Sequence, residues 1–298
     1  MNSSASSVTA RGRVMIQKAL SADHDVTLAE TSRRGHATRL AQGAAADGVE
    51  VVVVLGGDGT LNEAANGLAG STTALAALPG GSTNVFARTL GLPDDAIEAT
   101  VVLLEALSRQ SIRRVGLGVV NGRYFLFHCG MGFDAAIVAR VERRAALKRY
   151  ASHPLFLFSA FETWFRDYDH TRPRFAVHLP DGDIVDDVYF GLCLNTNPYT
   201  YFGTRPLNVA PGTTLDTGLA MVSVRALELP TIVGLGLSAR GSGDGSGRSR
   251  SVDRRTDLPG VKVEGFGPFP YQVDGDYLGE VTSLEFRHEP ESLALVIP

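Results

Sequence analysis

The sequence predicts an α/β domain followed by a domain rich in β-strands. Helical stretches alternate with short β-branched runs between Val14 and Leu107, and the clearest run, Val49 to Leu55, is typical of a strand buried on both faces in a parallel sheet. From about Val115 onward, strand-like runs carry turn residues at short spacing. The 298 residues are enough for two domains of ordinary size.

The α/β part begins with a helix around Val14 to Leu20. Because no strand-like run precedes this helix, we expect the usual opening strand of such a domain to be missing, as if the chain began mid-domain.

The second part is predicted to contain strands joined by tight turns. Asn121-Gly122 lies within the run 119–127, Asp181-Gly182 lies within 175–188, and a further strand is predicted at Leu219 to Val224. The stretch from Ala239 to Asp257 is rich in Gly, Ser, Arg and Asp and cannot bury a core, so we expect a mobile surface loop there.

Composition restricts the class of protein. The net charge of -4 argues against bulk affinity for nucleic acid. Two cysteines, Cys129 and Cys193, provide neither a disulfide framework nor a closely spaced metal-binding pair, which favours a reducing cytoplasm. The polar start lacks the regions of a signal peptide, and no apolar run approaches the roughly 18 residues of a spanning helix.

A glycine-rich turn, Gly56-Gly57-Asp58-Gly59-Thr60, follows the clearest strand and precedes a helix with an apolar face at Leu61, Ala64, Ala65 and Leu68. This arrangement is typical of phosphate sites, because glycines allow close approach of the backbone and a helix N-terminus attracts anions. Asp58, at the carboxyl end of the strand, is expected to point toward a ligand crevice. Alternatively, Thr60 to Glu63 is a capping box that starts the helix.

A second turn of the same kind is Pro79-Gly80-Gly81-Ser82-Thr83-Asn84, which follows a short apolar run and opens a helix at Val85 to Arg88. It predicts a second helix start that binds anions. Alternatively, Ser82 or Thr83 is only the N-cap and the glycines serve only the turn.

Together these two turns resemble the catalytic-domain signature of the diacylglycerol kinase family, which includes bacterial lipid kinases and the related sphingosine and ceramide kinases. The resemblance continues in the family's order at Gly130-Met131-Gly132-Phe133-Asp134, at Asn208-Val209-Ala210-Pro211 and at Asp274-Gly275-Asp276. It implies an N-terminal α/β domain of the phosphofructokinase and NAD kinase type at 1–116, joined by a terminal strand at 289–298. It also implies a C-terminal β-sandwich at 117–288 that receives the lipid.

The resemblance implies an ATP-dependent lipid kinase that phosphorylates a lipid hydroxyl, with diacylglycerol as the leading substrate. A sphingoid or other lipid alcohol kinase, an NAD kinase and a non-catalytic nucleotide- or lipid-binding relative remain alternatives. The nucleotide-binding residues that it implies are Asn2, Thr31, Gly56, Gly57, Asp58, Gly59, Thr60, Asn62 and Ser82. Asn2 is similar to the asparagine that ends the family's first strand.

The late acidic motif is the candidate source of a catalytic base. Phosphoryl transfer depends mostly on positioning and charge neutralisation, but the attacking hydroxyl must lose a proton. Asp276 occupies the position where the resemblance implies a glutamate base, and aspartate is one methylene shorter. Asp274 would point the same way in an extended segment and could support a metal or share the task, and Asp58 is a third candidate. The alternative for Asp274 to Asp276 is a plain hairpin turn.

Magnesium is expected to arrive with ATP, since Mg²⁺ commonly uses few carboxylates together with substrate phosphates. The family's bacterial members resemble one another in a structural magnesium site at an Asp-Gly-Leu turn. Here the turn is Leu215-Asp216-Thr217-Gly218-Leu219, with a threonine in place of the carboxylate and Asp216 as the candidate substitute ligand.

A basic run precedes an aromatic run in the second part. The basic residues are Arg140, Arg143, Arg144, Lys148 and Arg149, and the aromatic stretch extends from Leu155 to Phe165. A basic face beside apolar side chains suits peripheral docking on the inner face of the plasma membrane, at roughly 1 kcal/mol per basic residue. A solvated helix leading into a core element, or a groove for lipid tails, is the alternative. We expect a lipid substrate at the membrane surface and no nucleic-acid partner. A homodimer is compatible with the sequence, which does not set the oligomeric state.

Overall fold

The structure is a computed structural model that describes residues 1, 8–143, 171–226 and 251–298. These residues form two compact units. The first contains Met1–Leu117 and Pro290–Pro298, and the second contains Gly118–Glu289.

The helices and strands of the described residues follow one another in a clear order. In the first unit they are α1 (Ala10–Leu20), α2 (His36–Ala46), β1 (Val51–Gly56), α3 (Asp58–Leu68), β2 (Ala74–Pro79), α4 (Val85–Thr89) and α5 (Ala96–Ser108). The strand β3 (Ile112–Val120) leads into the second unit, which continues with β4 (Arg123–Phe125), β5 (His128–Gly132), α6 (Phe133–Arg143), β6 (Phe175–His178), β7 (Ile184–Val188), β8 (Phe190–Leu194), β9 (Thr200–Phe202), β10 (Arg205–Leu207), β11 (Leu219–Val224), β12 (Val252–Leu258) and β13 (Gly260–Val273). The last strand, β14 (Asp276–Val296), begins in the second unit and ends in the first.

The first unit is an α/β domain with a parallel sheet, as the sequence predicts. β1 pairs in parallel with β2, from Val51 opposite Ala74 to Gly56 opposite Pro79. The end of β14 lies parallel to β2 on its other side, with Leu295 opposite Leu75. All six residues of β2 are buried, which explains their apolar character.

The helix that follows β1 packs as its sequence pattern predicts. Leu61, Ala64, Ala65 and Leu68 are all buried on one side of α3. α3 also packs closely against α2, because a Cβ atom added to Gly67 would lie 2.5 Å from the carbonyl oxygen of Thr38. A glycine on α3 therefore sets the distance between the two helices.

The second unit is rich in antiparallel strands, in agreement with the predicted β-sandwich class. Within it, pairing follows the order β14-β13-β5-β8-β11-β12, and β6 pairs with both β13 and β7. The predicted turn at Asn121-Gly122 joins β3 to β4, and both of its residues have positive φ. The predicted turn at Asp181-Gly182 lies between β6 and β7.

The core of the second unit is formed by residues that alternate along its strands. One cluster of buried side chains includes Phe125, Phe175, Phe269 and Phe286. On β8, Cys193 belongs to this cluster while Leu192 and Leu194 belong to a second one, because successive residues of a strand point to opposite faces. The middle of β8 is thus buried on both faces.

The predicted loop from Ala239 to Asp257 is partly wrong. Residues 239–250 lie outside the described part of the chain, but Val252–Leu258 is strand β12, paired antiparallel with β11. A polar sequence can form this strand because the backbone hydrogen bonds of the sheet do not require apolar side chains. Its polar side chains form ion pairs instead: Arg255 lies 3.1 Å from Asp183 and 3.2 Å from Asp253. Polar composition alone therefore did not distinguish this strand from a loop.

Among the residues that the structure describes, no strand precedes α1 in the first unit. Residues 2–7 are not among the described residues. The backbone N–H of Thr31 donates to the carbonyl oxygen of Met1 at 3.0 Å, and the amino group of Met1 donates to the carbonyl of Ala29 at 2.7 Å. Met1 is therefore held beside the segment that follows α1.

Candidate functional site

The two glycine turns lie directly against each other at the carboxyl ends of β1 and β2. The N–H of Gly80 donates to the carbonyl oxygen of Gly56 at 2.9 Å. A Cβ atom on Gly80 would lie 2.8 Å from the nitrogen of Gly56, and one on Gly81 would lie 2.8 Å from the Cα of Gly57. Because backbone meets backbone at these positions, side chains are excluded there. The glycines thus allow the close contact between the two turns, in addition to any approach of a ligand to the backbone.

Asp58 connects the two turns. Its carboxylate oxygens accept hydrogen bonds of 3.0 Å each from the backbone N–H groups of Val85 and Phe86, at the start of α4. Although the residue as a whole is partly exposed, its carboxylate is buried, and this burial raises the pKa of Asp58 and outweighs these hydrogen bonds, which act to lower it. Asp58 is therefore a cap for α4, and its roles toward metal, phosphate or a proton stay predictions.

Asn84 closes the second turn. It is the N-cap of α4 with φ 49°, and its side-chain oxygen accepts from the N–H of Gly81 at 2.8 Å. Its amide nitrogen donates to the carboxylate of Asp94 at 2.8 Å. The alternative in which Ser82 or Thr83 caps this helix is therefore wrong, and the exposed Ser82 is left at the surface of the turn.

The capping-box alternative for the first turn is also wrong. α3 begins at Asp58 with Gly57 as N-cap, so Thr60 lies inside the helix. Glu63 faces another helix, because its carboxylate accepts from the N–H of Gly35 at 2.7 Å and from that of Ala37 at 3.1 Å, at the start of α2. Helix initiation at 60–63 does not explain the glycine turn.

The predicted nucleotide-binding residues divide into two groups. Gly57, Asp58, Gly59, Thr60, Thr31 and Ser82 are partly or fully exposed. Gly56 and Asn62 are buried, and the side-chain oxygen and backbone carbonyl of Asn62 both accept from the side-chain amide of Asn66. The side chain of Asn62 therefore contacts Asn66 within α3, and the role of Asn62 in nucleotide binding stays a prediction. Asn2 lies outside the described residues.

In the second unit, Asp274-Gly275 forms the turn between β13 and β14. Both residues have positive φ, 48° and 84°, and Val273 pairs with Asp276 across the turn. The alternative of a hairpin turn is therefore confirmed. The expectation that Asp274 and Asp276 point the same way from an extended segment is wrong, because Asp274 itself occupies the turn.

Asp274 is a buried structural acceptor. Its carboxylate accepts from three successive backbone N–H groups, those of Leu126, Phe127 and His128, at 2.7, 3.0 and 3.0 Å. Three such donors stabilise the negative charge of a buried carboxylate. This arrangement fixes the segment that enters β5 and leaves Asp276 as the more accessible carboxylate of the motif.

Asp276 is the first residue of β14, and its side chain is 25% exposed. A guanidinium nitrogen of Arg123 lies 4.0 Å from its carboxylate. A carboxylate in such a position can reach solvent and a ligand, as a base must.

A buried polar network near this turn was missed at the level of sequence. The carboxylate of Asp134, on α6, accepts from the hydroxyl of Tyr199 and from the side-chain amide of Gln272, the latter at 2.8 Å. Burial raises the pKa of Asp134, while both hydrogen bonds act to lower it. Asp134 belongs to a motif that the sequence does single out, but Gln272 and Tyr199 carry no sequence signal that connects them to it.

The turn at 214–218 does not fit a structural magnesium site. The hydroxyl of Thr217 accepts from the N–H of Thr214 and donates to its carbonyl, both at 3.0 Å, while the carboxylate of Asp257 accepts from the N–H of Gly218 at 2.8 Å. Asp216 is exposed, and across the described ranges no three His, Cys, Asp or Glu side chains gather as metal ligands. Hydrogen bonds hold the turn, so the geometry gives Asp216 no support as a ligand.

The predicted membrane-docking stretch lies mostly outside the residues that the structure describes. α6 is described to Arg143, and residues 144–170, which include the rest of the basic run and all of the aromatic run, are not described. Within the parts of the chain that are described, no helix has the length and apolar character needed to cross a membrane.

Comparison with known proteins finds matches to the diacylglycerol kinase family, which is the family that the sequence motifs resemble. Residues 1–120 match the model of the diacylglycerol kinase catalytic domain. Over 282 residues, the chain is 30% identical to "Probable lipid kinase YegS-like" of Pseudomonas aeruginosa, covering 93% of this chain and 86% of the relative. These matches include both glycine turns.

Two solved structures share the fold. A diacylglycerol kinase from Bacillus anthracis aligns with a TM-score of 0.70 at 20% identity, covering 96% of this chain and 91% of the other. An NAD kinase from Archaeoglobus fulgidus in complex with ATP aligns with a TM-score of 0.54 at 10% identity, covering 97% and 90%. At these identities the likeness concerns the fold alone, and it agrees with the predicted fold class.

Proposed function

Because the chain belongs to the diacylglycerol kinase catalytic-domain family of bacterial lipid kinases, we propose that it transfers the γ-phosphoryl group of ATP to the hydroxyl of a lipid. Diacylglycerol, which would become phosphatidic acid, is the first candidate substrate. Relatives of this chain carry the names of a probable lipid kinase and a diacylglycerol kinase, and this supports the lipid class more than any single lipid.

The observation that carries the proposal is the pair of glycine turns packed backbone to backbone. They follow two neighbouring parallel strands, and the first leads straight into α3. With no side chain beyond Cα at Gly57, Gly59 and Gly81, a phosphate chain can approach the backbone and the positive end of α3. Such a surface suits an anionic nucleotide better than a neutral ligand.

In the proposed reaction, the oxygen of the lipid hydroxyl bonds to the γ-phosphorus as the bond from that phosphorus to the β–γ bridging oxygen breaks. The products are a lipid phosphate monoester and ADP. The hydroxyl proton passes to a carboxylate, for which Asp276 is the first candidate. Asp276 is favoured over Asp274 and Asp58 because the resemblance places the base there and its side chain is 25% exposed, whereas the carboxylates of Asp274 and Asp58 hold backbone N–H groups in place.

Magnesium belongs to this proposal as the partner of ATP. It would neutralise charge on the transferring phosphoryl group, and it would need few protein ligands beyond the phosphates. No separate structural magnesium is proposed, because Thr217 and Asp257 complete the 214–218 turn with hydrogen bonds.

The lipid substrate implies contact with a membrane surface. The sequence supports such contact through the basic residues between Arg140 and Arg149 and the apolar residues that follow them. Co-sedimentation with vesicles that contain anionic phosphatidylserine would test this part, with neutral phosphatidylcholine vesicles as the control. Equal binding to both would contradict an electrostatic contact.

The proposed activity is tested by incubating the full chain with γ-labelled ATP, Mg²⁺ and separate acceptors. The acceptors are diacylglycerol in mixed micelles, sphingosine, another lipid alcohol and NAD. We expect label in a lipid product, most strongly from diacylglycerol. Labelled NAD without any lipid product would contradict the proposal, and nucleotide binding with no turnover of any acceptor would favour a non-catalytic relative.

A further inference from the structure

The candidate base Asp276 lies between two backbone groups that side chains hold in place. On one side, the N–H of Gly275 donates to the side-chain oxygen of Gln272 at 2.8 Å. On the other side, the N–H of Tyr277 donates to the carboxylate of Glu142 at 3.1 Å. The peptide group that follows Asp276, and the one between Asp274 and Gly275 just before it, are therefore both restrained by side chains rather than by strand pairing alone.

Gln272 is fully buried, and both ends of its amide are used. While its oxygen holds Gly275, its nitrogen donates to the carboxylate of Asp134 at 2.8 Å. Asp134 in turn accepts from the hydroxyl of Tyr199. The amide of Gln272 thus links the turn before Asp276 to a buried carboxylate on α6.

The space for this link is kept open by a glycine. Gly130 lies opposite Gln272 on β5, and a Cβ atom at Gly130 would lie 1.7 Å from the carboxylate of Asp134 and 2.5 Å from the amide nitrogen of Gln272. No side chain fits at Gly130 while the Asp134–Gln272 hydrogen bond is present. The glycine in the Gly130 to Asp134 motif is therefore explained by the network.

Both restraints lead back to α6, which carries Asp134 and Glu142. We propose that Gln272 and Glu142 are positioning residues that let α6 set the direction of the Asp276 carboxylate. The inference rests on the proposed kinase function and names two residues that act on its base without touching substrate.

Such positioning matters because an aspartate has one methylene less than a glutamate with which to adjust its reach. The direction of its carboxylate depends more directly on the backbone at 275–277. A displacement of about 1 Å in a reacting group can cost on the order of 100-fold in rate. Restraining the backbone on both sides is thus more important for the position of an aspartate carboxylate than for that of a glutamate.

The experiment compares Gln272→Met, Glu142→Met and Glu142→Gln in the full chain with the best lipid acceptor. Methionine removes the acceptor at similar length, while glutamine at 142 keeps an oxygen for the N–H of Tyr277. We expect both methionine variants to lose about 10- to 100-fold in kcat with the KM for ATP within about twofold. Glu142→Gln should keep kcat within about threefold of the unsubstituted chain. Glu280→Met, an exposed change on β14, is the control and should leave kcat unchanged.

A loss of stability is separated from a loss of positioning by counting functional protein. Thermal unfolding gives the folded fraction, and the stoichiometry of ATP binding gives the concentration by which kcat is calculated. If Gln272→Met does not fold, the pair at Glu142 decides the matter. Normal kcat in folded Glu142→Met, or an equal loss in Glu142→Gln and Glu142→Met, would overturn the inference. An unsubstituted chain without lipid kinase activity would instead contradict the proposed function.

Discussion

The carboxylate of Asp58 accepts a 3.0 Å hydrogen bond from the backbone N–H of Val85, which follows it by 27 positions in the chain. The first glycine turn thereby holds the start of the helix that follows the second. Because the turns also meet through Gly56 and Gly80, the two phosphate-binding candidates form one connected surface. A change in either turn should therefore affect the other.

Replacing Gly80 with alanine should disrupt this surface. The new Cβ atom would lie 2.8 Å from the nitrogen of Gly56, and neither backbone segment is a flexible side chain that can move away. We expect Gly80→Ala to lower the free energy of unfolding by about 1–3 kcal/mol and to weaken ATP binding. The measurements are urea denaturation and calorimetric titration with ATP.

The matched control is Gly43→Ala in α2, where a Cβ atom meets nothing within 4 Å. Alanine should stabilise that helix by up to about 1 kcal/mol. Equal effects of the two substitutions would show that contact between the turns does not matter.

Asp274→Asn tests the structural role of the first aspartate of the late motif. Asparagine offers one oxygen acceptor and directs a donor toward backbone N–H groups that now donate to a carboxylate. We expect a loss of about 1–3 kcal/mol in the free energy of unfolding, measured by urea denaturation. Unchanged stability with lost activity would move Asp274 from a structural role to a catalytic one.

His128 should make stability depend on pH. Burial lowers its pKa from 6.5 to about 3, and its ring contacts those of Phe127 and Tyr199. Because the folded pKa is below the unfolded value, the fold favours the neutral ring. Its contribution is present above pH 6.5 and is lost as the pH falls from there toward about 3.

The variant His128→Phe keeps an aromatic ring but removes the titration. Between about pH 6 and pH 4, the unsubstituted chain should lose up to about 1.4 kcal/mol of unfolding free energy per pH unit more than the variant. Urea denaturation across this range gives the two curves. Parallel curves would mean that His128 does not titrate on unfolding.

The turn at 214–218 should be independent of metal. EDTA added to nucleotide-free protein should shift the Tm by less than about 1 °C, because no metal leaves the folded state. Thr217→Ala should lower the free energy of unfolding by about 0.5–1.5 kcal/mol through the loss of its hydrogen bonds with Thr214. A fall of several degrees with EDTA that Mg²⁺ restores would point to a structural metal.

The sequence predicted the α/β and strand-rich parts because apolar periodicity and turn residues are local signals. β1, α3 and the hairpin at Asn121-Gly122 all follow from patterns within a few residues. The strand β12 was missed, since its side chains form ion pairs and its contribution to the sheet comes from the backbone. Local composition carries no signal for such a polar strand.

The candidate site was predictable in its motifs but not in its contacts. The glycine turns follow from residue type and spacing. Glu63 caps α2 across 26 positions of the chain, and Gln272 contacts Asp134 across 138 positions. Only the folded chain brings these residues together. Asp274 and Asp276 are two residues apart, yet positive φ at the turn gives them different surroundings.

The central claim is that this chain phosphorylates a lipid with Asp276 as the base. It is tested most directly by the rate of labelled lipid phosphate formation from ATP and diacylglycerol by the unsubstituted chain, Asp276→Asn and Asp276→Glu. We expect Asp276→Asn to lose at least about 100-fold in kcat while folding normally, since general base catalysis contributes about 100- to 10,000-fold. Asp276→Glu should keep substantial activity. Near-normal turnover by Asp276→Asn would contradict the account and move the base to Asp58 or Asp274.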